Sequence, residues 1–469
     1  MEPFSCLAID MGAGSIRIIQ GIFNDRFTLN EVYRFENECT HIDGHYRWNI
    51  DQIGQKIIHG IRLAFSQTNL PILSVGVDSW GVDFVLLGQN GEFLEHPVTY
   101  RDSRTEGMKA FWNKTKSDYD TFVQTGINYN IFNSLYQFLS IQSSKTLQKT
   151  KHILFMADYI NYLLSGKIAN ELTLASTTQL LNIGTKEWDS EITTLLGINK
   201  KLSTPIAKAG QKLGALLAIP ETKTELIATA GHDTACAVAS IPNMSENLAF
   251  ISTGTWCIVG YISNEPVLSY EAFTAGITNE ICYDGKIRPL TNVMGLWLIQ
   301  QLRKAFGQKH SYDEIENMAQ NESANTDLID TNDPIFFNPS NMQEAFDTHL
   351  TRNEKILPNS EAAYYSCAYK SIAVALSKKI FQIEEIANKS FTNIRLIGGG
   401  AKSNLLCQLI SNYTEKEVIA GPIEGAAIGN LKIQALSLNK FTNRKEFDDY
   451  IVQSIKLSKY KPIKLKDYP

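Results

Sequence analysis

Asp233 is the residue around which chemistry in this chain could be arranged. It stands in Thr229-Ala-Gly-His-Asp-Thr-Ala-Cys-Ala-Val-Ala239, between a glycine turn and a run of small, helix-compatible residues. A carboxylate fixed at a strand–turn–helix junction can accept the proton of an attacking hydroxyl, and an oxygen there can equally cap the first helical turn. Glycine-bearing turns recur elsewhere: Asp10-Met-Gly-Ala-Gly-Ser15, Ser252-Thr-Gly-Thr255 and, late in the chain, Gly398-Gly-Gly400. Lacking a Cβ, glycine lets backbone approach a flat or charged ligand closely, although each turn could also be purely structural. The set fits a held nucleotide and phosphoryl transfer. That reaction has a loose transition state and asks for positioning, ligands for the phosphates and one proton acceptor.

Two polar clusters add a second kind of chemistry. Asp78-Ser-Trp-Gly-Val-Asp83 and Tyr100-Arg-Asp-Ser-Arg104 combine carboxylates, guanidinium groups and hydroxyls where strands end, the ligand-binding edge of α/β folds. Asp78, Arg101 and Asp102 could meet sugar hydroxyls, with Trp80 offering an apolar face. The competing reading is that Asp102 and Arg104 pair on the surface.

The elements that must position these groups follow from periodicity. Cys6–Ile9, Ile16–Phe23 and Glu31–Phe35 read as a strand meander, and Ile53, Ile57, Ile58, Ile61, Ala64 and Phe65 carry helical spacing. Strands follow at Pro71–Val77 and Val82–Leu87. The first glycine turn is not a dinucleotide fingerprint, because Arg17 stands where the third glycine belongs and strand residues follow where a helix is needed. Residues 130–199 read as a helix-rich insertion. Leu226–Ala230 reads as a strand feeding the Gly231 turn and the helix from Thr234.

A domain boundary near Ile241-Pro-Asn-Met-Ser245 divides the chain into 1–242 and 243–469. The second part reopens as the first did, with strand Leu248–Ile251, a polar glycine turn and strand Trp256–Tyr261. A helix is expected from Asn292, a polar excursion over Lys309–Leu350, and a long helix through Tyr365–Ile383. Strand Ile394–Ile397, helix Asn404–Ile410, strand Glu417–Ala420 and a last helix from Gly425 into Ala435 complete the reading.

The totals are compatible with two large domains: 469 residues, 43% hydrophobic and 20% charged. A net charge of −5 without a long basic run argues against nucleic acid or a membrane surface as the partner and for a small soluble ligand. The seven cysteines are scattered without a CxxC pair, so a zinc site and a disulfide framework are not indicated and a reducing cytoplasm is expected. No signal-peptide core or membrane-span run is seen.

Ordered along the chain, Val77-Asp-Ser-Trp-Gly-Val-Asp-Phe-Val-Leu86, Tyr100-Arg-Asp-Ser-Arg-Thr105, Phe132-Asn-Ser-Leu-Tyr-Gln137, Ser176-Thr-Thr-Gln-Leu180, His232-Asp-Thr234, Ser252-Thr-Gly-Thr-Trp256, Asn292-Val-Met-Gly-Leu-Trp297 and Gly398-Gly-Gly400 resemble the FGGY carbohydrate kinases. The likeness runs nearly end to end and is nearest the branch acting on L-rhamnulose. It implies an α/β fold of two RNase H-like, actin-like ATPase domains with a central cleft, the first carrying sugar and the second nucleotide. It implies ATP-dependent phosphorylation of the 1-hydroxyl of L-rhamnulose, with L-fuculose as the alternative ketose. Asp233 would be the proton acceptor, with Gly81, His232, Thr234 and Asn292 around the sugar. ATP would meet Gly12, Ala13, Gly14, Ser15, Ile16, Arg17, Thr255, Gln300 and Gly399, and Asp10 would hold Mg²⁺ through water. A non-enzymatic actin-like nucleotide-binding protein would keep the glycine turns but have no use for Asp78, Trp80, Asp83, Arg101 and Asp102.

Overall fold

The fold is described from a computed structural model, which describes residues 2–202, 204–217, 219–322 and 327–463. The two principal sheets hold thirteen strands, one of them the edge strand Thr278–Ile281; the other twelve are numbered here. They are β1 (Phe4–Met11), β2 (Ser15–Phe23), β3 (Thr28–Glu36), β4 (Ile72–Ser79), β5 (Lys212–Ala215), β6 (Glu225–Ile227), β7 (Leu248–Thr253), β8 (Trp256–Tyr261), β9 (Ile287–Met294), β10 (Asn393–Gly398), β11 (Glu417–Ala420) and β12 (Ser458–Tyr460).

The chain divides into two compact units. The first comprises Met1–Asn243, Ser263–Pro289 and Gly425–Ile455; the second comprises Met244–Ile262, Leu290–Glu424 and Lys456–Pro469. The first crossing falls where proline and polar residues break the pattern after Ser240. The later returns of Ser263–Pro289 and Gly425–Ile455 to the first unit differ from a single cut after residue 242, and they matter for the site.

In the first unit the strand order is β5-β6-β4-β1-β2-β3. β1 to β3 form an antiparallel meander, β4 lies parallel to β1, β6 parallel to β4, and β5 antiparallel at the edge. The second unit contributes β9-β8-β7-β10-β11-β12 in the same pattern: an antiparallel trio, two parallel strands and an antiparallel edge. The expected repeat of strand, glycine turn and strand is therefore the visible start of a sheet built twice.

β1 is buried along its whole length, which explains its near-continuous apolar run. Against the sheet lies the Ile50–Gln67 helix, capped by Asn49, whose side chain accepts from the Gln52 N–H; it buries Ile50, Ile53, Ile57, Ile61 and Ala64 at helical spacing. The Gly425–Ser437 helix is buried along most of its length. Its Gly429 has no room for a side chain, since a Cβ there would lie 1.7 Å from the Cys236 carbonyl oxygen. This helix therefore crosses the Asp233–Ala239 helix backbone against backbone.

Two expectations are corrected. Asn292 does not open a helix; it lies in β9, paired with Ile258 of β8, and the helix begins at Trp297. The run from Ile287 is a strand ended by Gly295, where a Cβ would meet Cys257 Sγ at 2.7 Å. The helix from Gly425 is also not the last element, since an Arg444–Val452 helix and β12 follow it. Among the described residues, no helix is long and apolar enough to cross a membrane.

Candidate active site

In the first unit, Asp10 near the end of β1 and Asp78 near the end of β4 are partners across the parallel register. Beside them, the Ser79 N–H donates to the Gly231 carbonyl at 2.8 Å and Ser79 bridges to His232. Asp10, Asp78 and Asp233 thus gather at the carboxyl ends of three neighbouring chain segments, the usual ligand edge of such a sheet.

Asp233 opens a helix, Asp233–Ala239, whose N-cap is His232. Its Oδ1 accepts from the Thr234 N–H at 2.5 Å and the Thr234 hydroxyl at 3.1 Å. One oxygen therefore does local capping work while the side chain keeps 34% of its surface exposed. The turn before it is fixed by a buried carboxylate: Glu171 Oε2 accepts the Gly231 N–H at 2.8 Å and the Thr173 hydroxyl at 2.6 Å, and Thr173 Oγ1 in turn accepts the His232 N–H at 3.2 Å.

Asp78 is fully buried; burial and then the charge of Asp10 push its carboxyl well above the usual range, opposed by a hydrogen bond from Asn430 Nδ2 at 2.6 Å. Asn430 continues into a buried polar row: Gln434 Nε2 donates to Asn430 Oδ1 at 2.6 Å and to the Leu7 carbonyl at 3.0 Å, and Ser74 donates to Gln434 Oε1 at 2.7 Å. The second Asp78 oxygen has no hydrogen-bond partner. A buried carboxylate with a spare oxygen beside Asp10 suits a hydrated divalent cation, whose charge would offset the crowding of negative groups. Among the described residues no three side chains form a direct metal-ligand group, so an ion here would be held through water.

His232 lies between two acids. Its Nε2 is 3.4 Å from Asp233 Oδ1 and its Nδ1 is 3.1 Å from Glu280 Oε2. Arg288, wholly buried, pairs with Glu280. Burial pushes the Glu280 carboxyl up, but the charges and hydrogen bonds of His232 and Arg288 outweigh it and hold the group down at about 2.

The first glycine turn is closed by the Gly12 N–H on the Ser15 carbonyl at 3.0 Å, and Asn37 braces it by donating to the carbonyls of Gly14 and Gly12. Ala13 is half-buried and Gly14 exposed, whereas the Ile16 side chain is in the core, so only its backbone can face a ligand. Arg17, the cross-strand partner of Asp10, forms an ion pair with it.

The polar clusters are more architectural than their composition suggests. Trp80 is 6% exposed, packs on Trp48 with ring centroids 4.7 Å apart, and donates to Asp83 Oδ2 at 3.0 Å. Its broad apolar face is spent on the core. Asp102 accepts from the Tyr46 and Arg104 N–H groups and lies 3.0 Å from His45 Nδ1, while the Arg104 side chain donates to Gln137 Oε1. The expected surface pair of Asp102 and Arg104 is thus a backbone cap. Arg101 is exposed and rests over the Tyr100 ring, and Gly81 is kept side-chain-free by Thr177, whose Oγ1 would be 2.8 Å from a Cβ.

In the second unit, Thr255 and Trp256 are exposed, and the Thr255 carbonyl accepts the N–H groups of Gly295 and Trp297. Asn292 is exposed on β9, and Gln300 lies in the first turn of the Trp297–Ala305 helix. The three late glycines have different duties. A Cβ at Gly398 would sit 2.4 Å from the Thr253 carbonyl, and one at Gly400 2.8 Å from the Thr253 side chain; at Gly399 nothing lies within 4 Å. Gly399 is the open member.

Glu171, Glu280, Arg288 and Asn430 escaped the sequence reading. None stands in a motif, and each takes its meaning from partners distant in the chain. The one available signal was a charge inside a strand pattern, as at Arg288.

Comparison with known proteins accords with this geometry. The profile of the FGGY family of carbohydrate kinases, N-terminal domain, matches residues 5–240, and that of its C-terminal domain matches 249–438. The chain belongs to this family and is a sugar kinase, with a sugar and ATP as its substrates. It is rhamnulokinase-like: a rhamnulokinase of Oceanobacillus iheyensis is 36% identical over 469 residues, covering 98% of this chain and 99% of that protein. One of Bacteroides thetaiotaomicron is 34% identical over 464 residues, covering 97% and 95%. Among solved structures, the fold matches Plasmodium falciparum glycerol kinase with ADP at TM-score 0.82 and 14% identity, and a gluconate kinase from Lactobacillus acidophilus at 0.81 and 15%. Each alignment covers 98% of this chain and 94% of the other.

Proposed function

We propose that the protein transfers the γ-phosphoryl group of ATP to the 1-hydroxyl of L-rhamnulose, giving L-rhamnulose 1-phosphate and ADP. The observation that carries the mechanism is the contrast within the carboxylate group: side-chain exposure is 9% for Asp10 and 34% for Asp233, and Asp78 is fully buried. Asp233 is the member a substrate hydroxyl can reach, and it acts as proton acceptor while O1 attacks phosphorus. His232 and Thr234 flank it and, with Gly81 and Asn292, orient the ketose; Asp78, Trp80 and Asp102 support that site from behind, and Arg101 stands at its exposed side. On the nucleotide side the backbone of Gly12 to Arg17, Thr255, Gln300 and Gly399 receives ATP. Mg²⁺, held through water by Asp10, neutralises charge on the phosphates when bound.

The choice of sugar is supported by the rhamnulokinases at 33–36% identity. Seven free cysteines suit a reducing cytoplasm. A coupled ADP-release assay over L-rhamnulose, L-fuculose, L-xylulose, D-xylulose, L-ribulose and glycerol tests the assignment. L-Rhamnulose gives the highest kcat/KM. A preference for L-fuculose overturns the sugar but keeps the mechanism, and inactivity on all six overturns both. In Asp233→Asn turnover collapses while ATP binding survives, and retained turnover removes Asp233 from its role.

A further inference from the structure

The ring of His232 is held from behind by a charged pair that the chemistry of Asp233 does not itself require. Glu280 and Arg288 come from the Thr278–Ile281 strand and β9, in the Ser263–Pro289 segment that returns to the first unit. Arg288 is wholly buried, and its Nε and Nη1 have no partner. Burying a guanidinium with two orphaned donors is costly, and apolar replacement of such a pair is often no worse for stability. A further use for the pair therefore has to be sought, and the contact it makes with His232 supplies one.

Glu280 Oε2 and Arg288 Nη2 both lie 3.1 Å from His232 Nδ1. Arg288 can only donate, and the hydrogen-bond partners of the Glu280 carboxylate are Arg288 and His232. Since Arg288 Nη2 already donates to Glu280, the shared Glu280 oxygen is the acceptor for a proton on His232 Nδ1. The ring is thereby turned with Nε2 toward Asp233 Oδ1, 3.4 Å away. Groups facing the ring are Asp233 from its own helix, Glu280 from its strand and Arg288 from β9.

We propose that Glu280, anchored by Arg288, is a positioning residue that holds the ring of His232 with Nε2 turned toward Asp233 and the ketose. The inference rests on the kinase reading above. It assigns ketose orientation to a segment outside the sugar-binding motifs, and it makes the Ser263–Pro289 excursion part of the site.

The test uses the full-length protein with labelled histidine, the His232 ring signals being assigned by their absence in His232→Gln. In the wild type a proton-bearing Nδ1 is expected. In Glu280→Met/Arg288→Met, which removes both charges together, that signal is lost or moved, kcat/KM for L-rhamnulose falls at least tenfold, and KM for ATP stays within twofold. Glu280→Gln keeps an acceptor in place and loses less than the double variant; it also serves should the double variant not fold. A purely structural role would lower the melting temperature without this split between ketose and ATP. An Nδ1 signal that is absent in the wild type or unmoved in the variants overturns the inference, as does a ketose kcat/KM within twofold of wild type. Should the wild type phosphorylate no ketose, the function proposal falls while the ring signal still decides whether Glu280 positions His232.

Discussion

Replacing the three late glycines one at a time by alanine separates geometry from ligand binding. Gly398 has φ 84° and ψ −168°, a region essentially closed to residues with a side chain, at a cost of about 1–3 kcal/mol. Its new Cβ would also meet the Thr253 carbonyl at 2.4 Å, a backbone atom of the adjoining strand that cannot rotate away. Adding a typical overpacking cost of about 1–3 kcal/mol gives about 2–6 kcal/mol for Gly398→Ala. Gly400→Ala meets only the Thr253 side chain, whose Oγ1 would have to leave the Ile397 carbonyl and the Gly400 N–H, so about 1–2 kcal/mol is expected. Gly399→Ala meets nothing and should stay within about 0.5 kcal/mol. Thermal melts followed by tryptophan fluorescence would rank them, with Gly398→Ala lowered by about 4–24 °C at the usual 2–4 °C per kcal/mol for a unit of this size. In steady-state kinetics, the effect of Gly399→Ala should fall on KM for ATP. A Gly398→Ala protein that melts with Gly399→Ala would refute the steric argument, and an unchanged KM for ATP in Gly399→Ala would remove that residue from the nucleotide side.

Two further outcomes follow from buried charges. Lys432 pairs with Asp448, which also accepts the Asn243 N–H at 3.0 Å. Lys432→Met leaves the carboxylate with Arg444, whose Nε lies 3.5 Å from Oδ2, and should cost about 1–3 kcal/mol; adding Asp448→Asn, which keeps an acceptor for Asn243, should recover part of it in urea unfolding; a double variant weaker than the single would contradict this. Glu280, held at about 2 against an ordinary 4.5, binds its proton less readily when folded. Its stabilising contribution is therefore present above pH 4.5 and lost as pH falls toward 2. Between pH 5 and 3 the wild type should lose stability faster than Glu280→Gln, and parallel curves would disprove it.

Much of the fold was legible because its rules are local. β1 and β2 declared themselves by apolar runs around a glycine turn, and the Ile50–Gln67 helix by a stripe of isoleucines. The doubled sheet was visible at its two openings, where strand, turn and strand recur. What failed was of two kinds. Around Asn292 the amides and apolar residues are equally compatible with helix or strand, and only pairing with β8 decides. Glu171 and Glu280 take their meaning from partners about 50–60 positions away, Gly231 and His232, and no spacing along the chain announces such contacts. Trp80 shows the opposite error: an aromatic residue beside polar ones suggests a sugar platform, but its N–H was needed by buried Asp83 and its ring by Trp48.

The Gly425–Ser437 helix has a further consequence for how the protein is made. It covers the first sheet, donates through Gln434 to the Leu7 carbonyl and lies against the helix that begins at Asp233. During synthesis the strands of the first unit leave the ribosome with that cover still unmade. At the usual 5–20 residues per second, roughly ten to forty seconds separate Asn243 from Gly425. Over that interval the first unit has an exposed sheet face, and a fragment ending at residue 243 would keep it for good. Completion of the first unit is thereby tied to synthesis of nearly the whole chain, so the Asp233–Ala239 helix gains the Gly425–Ser437 helix against it only after the second unit's parallel strands have been made.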